Sequence, residues 1–167
     1  MTPAEALATL IRPALAILGG PFAGREAECM LLAIGLQESG FRVRVQDRGG
    51  PAHGFWQFEP GSRGGIRRVA SAGDRRILEA IVRLGYPLDD AGILYEGPLY
   101  RVLAIPKGDR IACFLARGLL WMIPAPLPTL GDEEEAWLQY EHQWGPGKPD
   151  RARWADAYPQ ALAAVRA

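Results

Sequence analysis

The feature that most constrains the fold is an apolar run, Met30 to Leu36 (MLLAIGL), which is followed closely by Glu38. Wound as a helix, this run is apolar on every side, and such a helix is buried all round rather than laid on a surface. We therefore predict a central helix over residues 24–38 with other helices packed around it. A chain of 167 residues can supply them, because a domain of this size buries roughly 70% of its unfolded surface.

Helical patterns recur along the rest of the chain. Apolar spacing and chain breakers predict helices over residues 4–18, 74–84, 109–122, 132–143 and from 150 onward, the second and fourth beginning at an aspartate that caps them. A shorter helical piece is expected near residues 89–95, and residues 98–105 are ambiguous. Residues 40–64 lack sustained alternation and are rich in Gly and Arg, so we predict an irregular loop or a small hairpin there. The fold class is mainly α, in one domain over residues 1–167.

The charge distribution argues against nucleic acid as a partner. The net charge is zero, so no whole-molecule field attracts a polyanion. Residues 41–83 nevertheless hold nine Arg against four acids, a local excess of five positive charges. Either this segment meets a polyanion or it forms a solvated surface whose arginines pair with acids of the Glu133–Glu135 region. We favour the second interpretation.

Several other classes of protein and site are disfavoured. No run reaches the roughly 18 apolar residues of a membrane span, so we expect no stable membrane insertion. Residues 1–20 lack the basic start of a signal peptide and are predicted to form a packed helix. Cys29 and Cys113 lie in apolar runs and are expected to be buried thiols. His53 and His142 fit no zinc-binding spacing, so no metal and no other cofactor is expected.

Glu38 is the leading candidate for a catalytic group. Ile34 and Glu38 are four residues apart and share one helix face, with Met30 before them on the same line. The carboxyl thus lies where an apolar stripe ends, and desolvation there raises the pKa of a carboxyl. A proton kept near neutral pH is what a general acid needs in glycoside cleavage. The simpler alternative is a solvated glutamate at a helix end.

The stretch GFWQFEP at residues 54–60 adds candidate substrate contacts. Gln57 follows Gly54, which lets backbone approach a ligand closely. The Gln57 side chain offers a donor and an acceptor to a sugar hydroxyl or N-acetyl group, and Trp56 and Phe58 would supply faces for packing against the sugar. The alternative is that Trp56 or Phe55 serves the core.

A second aromatic group lies late in the chain. Its members could line a glycan groove, although helical spacing of the first two favours core packing: Trp137, Tyr140, Trp144, Trp154 and Tyr158.

Together these motifs resemble those of a known superfamily. Glu38-Ser39-Gly40, followed by GFWQFEP, resembles the Glu-Ser and Gly-Leu-Met-Gln signatures of soluble lytic transglycosylases and goose-type lysozymes. Asp47-Arg48-Gly49 and Glu59 occupy places similar to acids of the goose-type branch. The resemblance covers residues 30–65. The chain departs from the pattern at Trp56, where Met is usual, at Glu59, where Asp is usual, and in a longer loop before Gly54.

The resemblance implies a lysozyme-like α-helical domain with an irregular loop or small hairpin beside the cleft. It also implies cleavage of the β-1,4 bond between N-acetylmuramic acid and N-acetylglucosamine in peptidoglycan. Glu38 matches the catalytic acid, and Asp47 and Glu59 match acids that position water. Gln57 matches the sugar-contacting glutamine, and Ser39 and Tyr140 are further candidate substrate contacts.

Two reactions are consistent with that match. A second carboxylate would activate water and give hydrolysis, whereas without one Glu38 would assist attack by the muramic acid 6-hydroxyl and give a 1,6-anhydro product. The presence of both Asp47 and Glu59 slightly favours hydrolysis. We predict a phage or prophage muramidase made in the cytoplasm, acting on glycan strands as an endolysin released by a holin or as part of a virion. The alternative is a non-catalytic virion or scaffold protein, with virion proteins as partners.

Overall fold

The computed structural model describes residues 1–46, 49–59, 65–86, 96–145 and 148–167. Within these ranges the fold is mainly α, as predicted. The α-helices are α1 (Pro3–Ala6), α2 (Arg12–Leu18), α3 (Arg25–Glu38), α4 (Gly65–Ala72), α5 (Arg75–Arg83), α6 (Glu96–Leu103), α7 (Asp109–Trp121), α8 (Glu133–Leu138) and α9 (Arg151–Arg166). Two π-helical turns, at Leu7–Ile11 and Gln139–Trp144, and two 3-10 turns, at Gly20–Phe22 and Pro106–Gly108, join them.

Helix α3 is the centre of the fold, as its all-round apolar sequence predicts. Four consecutive residues, 31–34, are completely buried. Its main neighbour is α9, which runs antiparallel to it: Arg25 Nη2 donates to the Val165 carbonyl at 2.8 Å, and Gln37 Nε2 donates to the Asp150 carbonyl at 2.9 Å. These two hydrogen bonds fix opposite ends of the pair, so the position of α9 sets what surrounds the end of α3.

The first predicted helix, residues 4–18, is one continuous helical segment with a wide middle turn. Here the Arg12 N–H bonds to the Leu7 carbonyl, five residues back. Pro13 has no N–H, and its ring would clash with the Thr9 carbonyl in a regular α-helix. A π turn placed just before the proline relieves that clash.

The other predicted helices are confirmed with small changes at their ends. Asp74 caps α5 by accepting from the Arg76 N–H, and Asp132 caps α8 by accepting from the Glu135 N–H. The predicted helix to residue 143 is α8 continued by the second π turn, and the ambiguous segment, residues 98–105, overlaps α6. The piece expected at residues 89–95 lies outside the described residues.

The predicted loop carries two isolated antiparallel β-bridges in place of a hairpin. Val45 pairs with His53, and His53 pairs with Phe58. Arg44 ties this loop to the start of α7, because its Nε and Nη2 donate to the two carboxylate oxygens of Asp109 at 2.7 and 2.8 Å. The loop is thereby held against the start of α7.

The ion pairs differ from those expected. Arg44 pairs with Asp109, whereas Glu133 and Glu134 pair with Arg151. The prediction that the Glu133–Glu135 acids serve the arginine-rich segment was therefore wrong, because α9 places its own Arg151 beside them.

Two further predictions concern the cysteine thiols and membrane-spanning helices. Both Cys29 and Cys113 are buried and free, as expected. Burial raises the pKa of the Cys29 thiol to about 11. None of the helices in the described ranges has the length and apolar character to cross a membrane.

Candidate functional site

The end of α3 is held by a buried serine. The Ser39 hydroxyl donates to the Phe55 carbonyl at 2.7 Å and accepts from the Phe41 N–H at 3.1 Å. Gly40 then takes a positive φ of 62°, which glycine adopts without steric cost. Ser39 was predicted to contact the substrate, but it is only 6% exposed. Its hydroxyl makes its hydrogen bonds within the protein instead. These hydrogen bonds fix the backbone directly after Glu38.

Glu38 is partly buried and receives a hydrogen bond from a distant tyrosine. The Tyr140 hydroxyl donates to Glu38 Oε1 at 2.9 Å. Burial raises the pKa of Glu38 to about 7; the Tyr140 hydrogen bond and the Arg153 charge oppose this rise, and the Glu59 charge adds to it. Desolvation is the dominant cause, as the sequence argument expected.

Tyr140 reaches Glu38 from within the second π turn. Its ring is stacked on that of Trp154 in α9, with centroids 4.9 Å apart and planes at 16°. Trp137 packs against both rings at 5.6 and 5.9 Å. Burial, together with the Glu38 charge, raises the pKa of Tyr140, so its hydroxyl keeps its proton as a donor. The late aromatic residues therefore form a core cluster, the favoured interpretation, and present one hydroxyl to Glu38.

Arg153 is a residue that sequence reasoning missed. It lies in the first turn of α9, and its Nη2 donates to the Leu36 carbonyl at 3.0 Å. From there its charge lowers the pKa of Glu38. No local motif marks it; the only available signal is Asp150, which caps α9 by accepting from the Arg153 N–H at 3.0 Å.

The loop contains the two other described site candidates, Gln57 and Glu59. Gln57 has a φ of 49°, and its Nε2 donates to the Gly54 carbonyl at 2.8 Å. A non-glycine residue in the left-handed region carries backbone strain that the surrounding structure must support. Glu59 is exposed, and its charge contributes to the raised pKa of Glu38. The two carboxyls therefore interact electrostatically.

The two aromatic residues that flank Gln57 lie in the interior. Trp56 is completely buried, and its Nε1 donates to the Leu31 carbonyl of α3 at 2.9 Å. Phe58 is 3% exposed, with its ring centroid 5.8 Å from that of Trp144. The predicted sugar-packing faces of Trp56 and Phe58 are thus turned into the core, and the alternative, that Trp56 or Phe55 serves the core, fits the burial of both residues. Asp47 lies outside the described residues.

The described residues around the site form a large groove. Across the described ranges, His, Cys, Asp and Glu form no group of three that could hold a metal ion. A groove of about 800 Å³ borders Ser39, Gly40 and Arg153, beside the end of α3. A second cavity of about 470 Å³ lies at the other end of that helix. Glu38 lines neither of them.

Comparisons of the chain with protein-family models, with curated proteins and with solved structures give no match. Membership of the lysozyme superfamily therefore stays a prediction from the motifs at residues 30–65.

The Glu38 carboxyl can act as a proton donor near neutral pH. A carboxyl with a pKa of about 7 is protonated in a large fraction of molecules near neutral pH, and it becomes a carboxylate after donating its proton. Efficient general acids have a pKa close to the working pH.

Proposed function

We propose that this protein is a peptidoglycan-cleaving muramidase in which Glu38 is the general acid. The observation that carries the proposal is the Glu38 carboxyl itself, partly buried at the end of the central helix with a pKa raised to about 7 and one oxygen bound by Tyr140. The motif resemblance supplies the substrate, the β-1,4 bond between N-acetylmuramic acid and N-acetylglucosamine.

In the proposed reaction, protonated Glu38 donates to the glycosidic oxygen as the bond to the sugar breaks. Tyr140 binds Oε1, so we assign the transferred proton to Oε2. The Tyr140 hydrogen bond then stabilises the carboxylate that forms, because hydrogen bonds to ionised acceptors are stronger than those to neutral ones. The Arg153 charge acts in the same direction.

Glu59 is the described residue that best fits the second carboxylate of a hydrolase. It is exposed, and its charge contributes to the raised pKa of Glu38. In an inverting glycosidase such a group activates a water on the far face of the sugar. Hydrolysis is therefore the proposed reaction, and 1,6-anhydro formation is the competing one.

The test is mass spectrometry of fragments released from purified peptidoglycan. We expect the wild-type protein to release fragments with reducing ends and Glu38→Gln to release them at least about 100-fold more slowly. Glu79→Gln, which replaces a half-buried glutamate paired with Arg75, serves as the charge-matched control and should keep full activity. Fragments lighter by one water would show that the reaction is transglycosylation and not hydrolysis.

Two results would reject the proposal. One is fragment release by Glu38→Gln at the wild-type rate. The other is binding of the folded wild-type protein to cell walls without any release, which would favour the non-catalytic wall-binding alternative. The endolysin or virion setting is a separate prediction that this experiment leaves untouched.

A further inference from the structure

Arg117 is a buried cation at the end of the molecule opposite Glu38. It lies in α7, is 3% exposed, and donates from Nε to the Phe22 carbonyl at 2.7 Å and from Nη2 to the Pro21 carbonyl at 3.3 Å. Its Nη1 is buried and has no hydrogen-bond partner. A buried polar group without a partner is costly and calls for an explanation.

The charge of Arg117 is not neutralised by any acid in the described part of the chain. Its contacts there are two carbonyls and the rings of Phe22 and Trp121, whose centroids lie 5.6 and 5.3 Å from its guanidinium carbon. Burial lowers the pKa of Arg117 to about 10, so the side chain is still charged at neutral pH. Cation–π contacts offset part of the cost of burying it, but they provide no hydrogen-bond acceptor.

Arg117 also lines the cavity of about 470 Å³. That volume is within the range of small-molecule sites, which are mostly apolar with a few polar groups. The apolar part of the lining includes Pro21, Ala27, Leu120, Ile123, Pro124 and Leu127. Glu26 is the acidic residue of the lining. The cavity lies at the start of α3, and the 14 residues of that helix separate it from Glu38 by roughly 20 Å.

We propose that this cavity binds a small organic monocarboxylate with an aliphatic body. The carboxylate lies against the Arg117 side chain and supplies the counter-charge that the described residues do not provide. The aliphatic body packs against Leu120, Ile123 and Pro124. A single cation in apolar walls matches a single negative charge, and Glu26 repels a second one, so dianions such as phosphate are disfavoured. The proposal goes beyond wall cleavage and does not depend on it.

The test uses hexanoate as the probe and hexanamide as its neutral counterpart of nearly the same shape. Each is titrated into the full-length protein while backbone amide NMR signals are followed. We expect saturable shifts at the amides of Gly24 and Ala27 with a dissociation constant in the millimolar range, about −4 kcal/mol. Hexanamide should bind at least tenfold more weakly. Equal binding of the two, or no saturation by hexanoate in this range, would overturn the proposal.

Three variants sharpen the test. Arg117→Met removes the cation and should weaken hexanoate binding at least tenfold. Ala125→Phe fills the cavity from an exposed lining position, keeps Arg117 and should weaken binding equally, so it decides the matter if Arg117→Met does not fold. Arg110→Met removes an exposed charge from the same helix and should leave binding unchanged. Unaltered binding by folded Ala125→Phe would also reject the site.

Discussion

The Tyr140 hydroxyl lies 2.9 Å from Glu38 Oε1, although 102 residues separate the two in sequence. This hydrogen bond favours the ionised carboxyl, whereas burial favours the protonated one. The pKa of Glu38 is therefore set mainly by two opposed effects, and the hydrogen bond can be removed by replacing Tyr140.

Replacing Tyr140 by Phe should shift the pH dependence of wall cleavage. Loss of the hydrogen bond removes a contribution that lowers the pKa of Glu38, so that pKa rises above about 7. A general acid must be protonated, and activity falls as pH rises through its pKa. We expect the alkaline limb of the pH–rate profile of Tyr140→Phe to move to higher pH than that of the wild-type protein.

The matched control for that prediction is Tyr158→Phe. The Tyr158 hydroxyl belongs to the same cluster but accepts from the Gly131 N–H at 3.1 Å. Its removal should leave the alkaline limb in place. An unchanged limb in Tyr140→Phe, or an equal shift in both variants, would contradict the assigned role of Tyr140.

Replacing Glu38 by Gln should stabilise the protein at alkaline pH. The folded-state pKa of about 7 is above the ordinary value of 4.5, so the folded state binds a proton that the unfolded state releases. Stability conferred by this group is present below pH 4.5 and is lost as pH rises through 7. The loss is at most about 3 kcal/mol, and Gln avoids it.

Urea unfolding at two pH values measures this effect. Relative to the wild-type protein, Glu38→Gln should gain stability between about pH 4.5 and pH 8. The control Glu79→Gln should show no such gain. A Glu38→Gln protein whose relative stability falls with rising pH would show that Glu38 is not desolvated in the folded state.

Trp56→Phe should lower stability without changing the affinity for substrate. The indole Nε1 donates to the Leu31 carbonyl inside the core, so Phe leaves that carbonyl without its partner and opens a small cavity. We expect a loss of about 2–4 kcal/mol in urea unfolding. The KM for wall fragments should be unchanged in the folded protein. A raised KM with full stability would instead show that Trp56 contacts the substrate.

Gly35→Ala should disturb the packing beneath the site. A methyl group at Gly35 would overlap the ring of Phe41, which is buried. Phe41 also has a φ of 52°, so it has little freedom to move aside. Overpacking of this kind costs about 1–3 kcal/mol or more.

Gly97 gives the comparison for that substitution, because it is exposed in α6 and a methyl group there meets nothing within 4 Å. Gly97→Ala should change stability by only about 1 kcal/mol or less, because the gain in helix propensity is opposed by Pro98, which disfavours helical backbone for the residue before it. Thermal unfolding of both variants compares them, and equal melting temperatures would show that the contact between Gly35 and Phe41 is not tight.

The helices could be predicted because the residues that specify each helix lie close together in the sequence. The all-round apolar run of α3 and the capping side chains of Asp74 and Asp132 are contained within a few residues each. The raised pKa of Glu38 was also predictable, since its main cause is burial at the end of that run. The wide turn before Pro13 was not predicted, although the proline that causes it is visible in the sequence.

The partners of Glu38 were harder to predict because long-range packing decides them. Tyr140 was a candidate only as a sugar contact, and its hydrogen bond depends on how α9 docks on α3. The inward positions of Trp56 and Phe58 have the same origin: aromatic residues suit a ligand or a core equally well in sequence, and the hydrogen bond of Trp56 to Leu31 belongs to the tertiary fold. Arg153 was missed for that reason too.

The π turn at Gln139–Trp144 is the last part of the helix that begins with α8, and this helix ends at the left-handed Gly145. Each residue of an α-helix turns the chain by about 100°, so deleting one residue between Trp137 and Tyr140 would rotate Tyr140 about the helix axis by that amount relative to the start of α8. With the aromatic stack anchored on α9, the Tyr140 hydroxyl would point away from Glu38. The acid–tyrosine pair therefore depends on the length of this helix as much as on the identity of its residues.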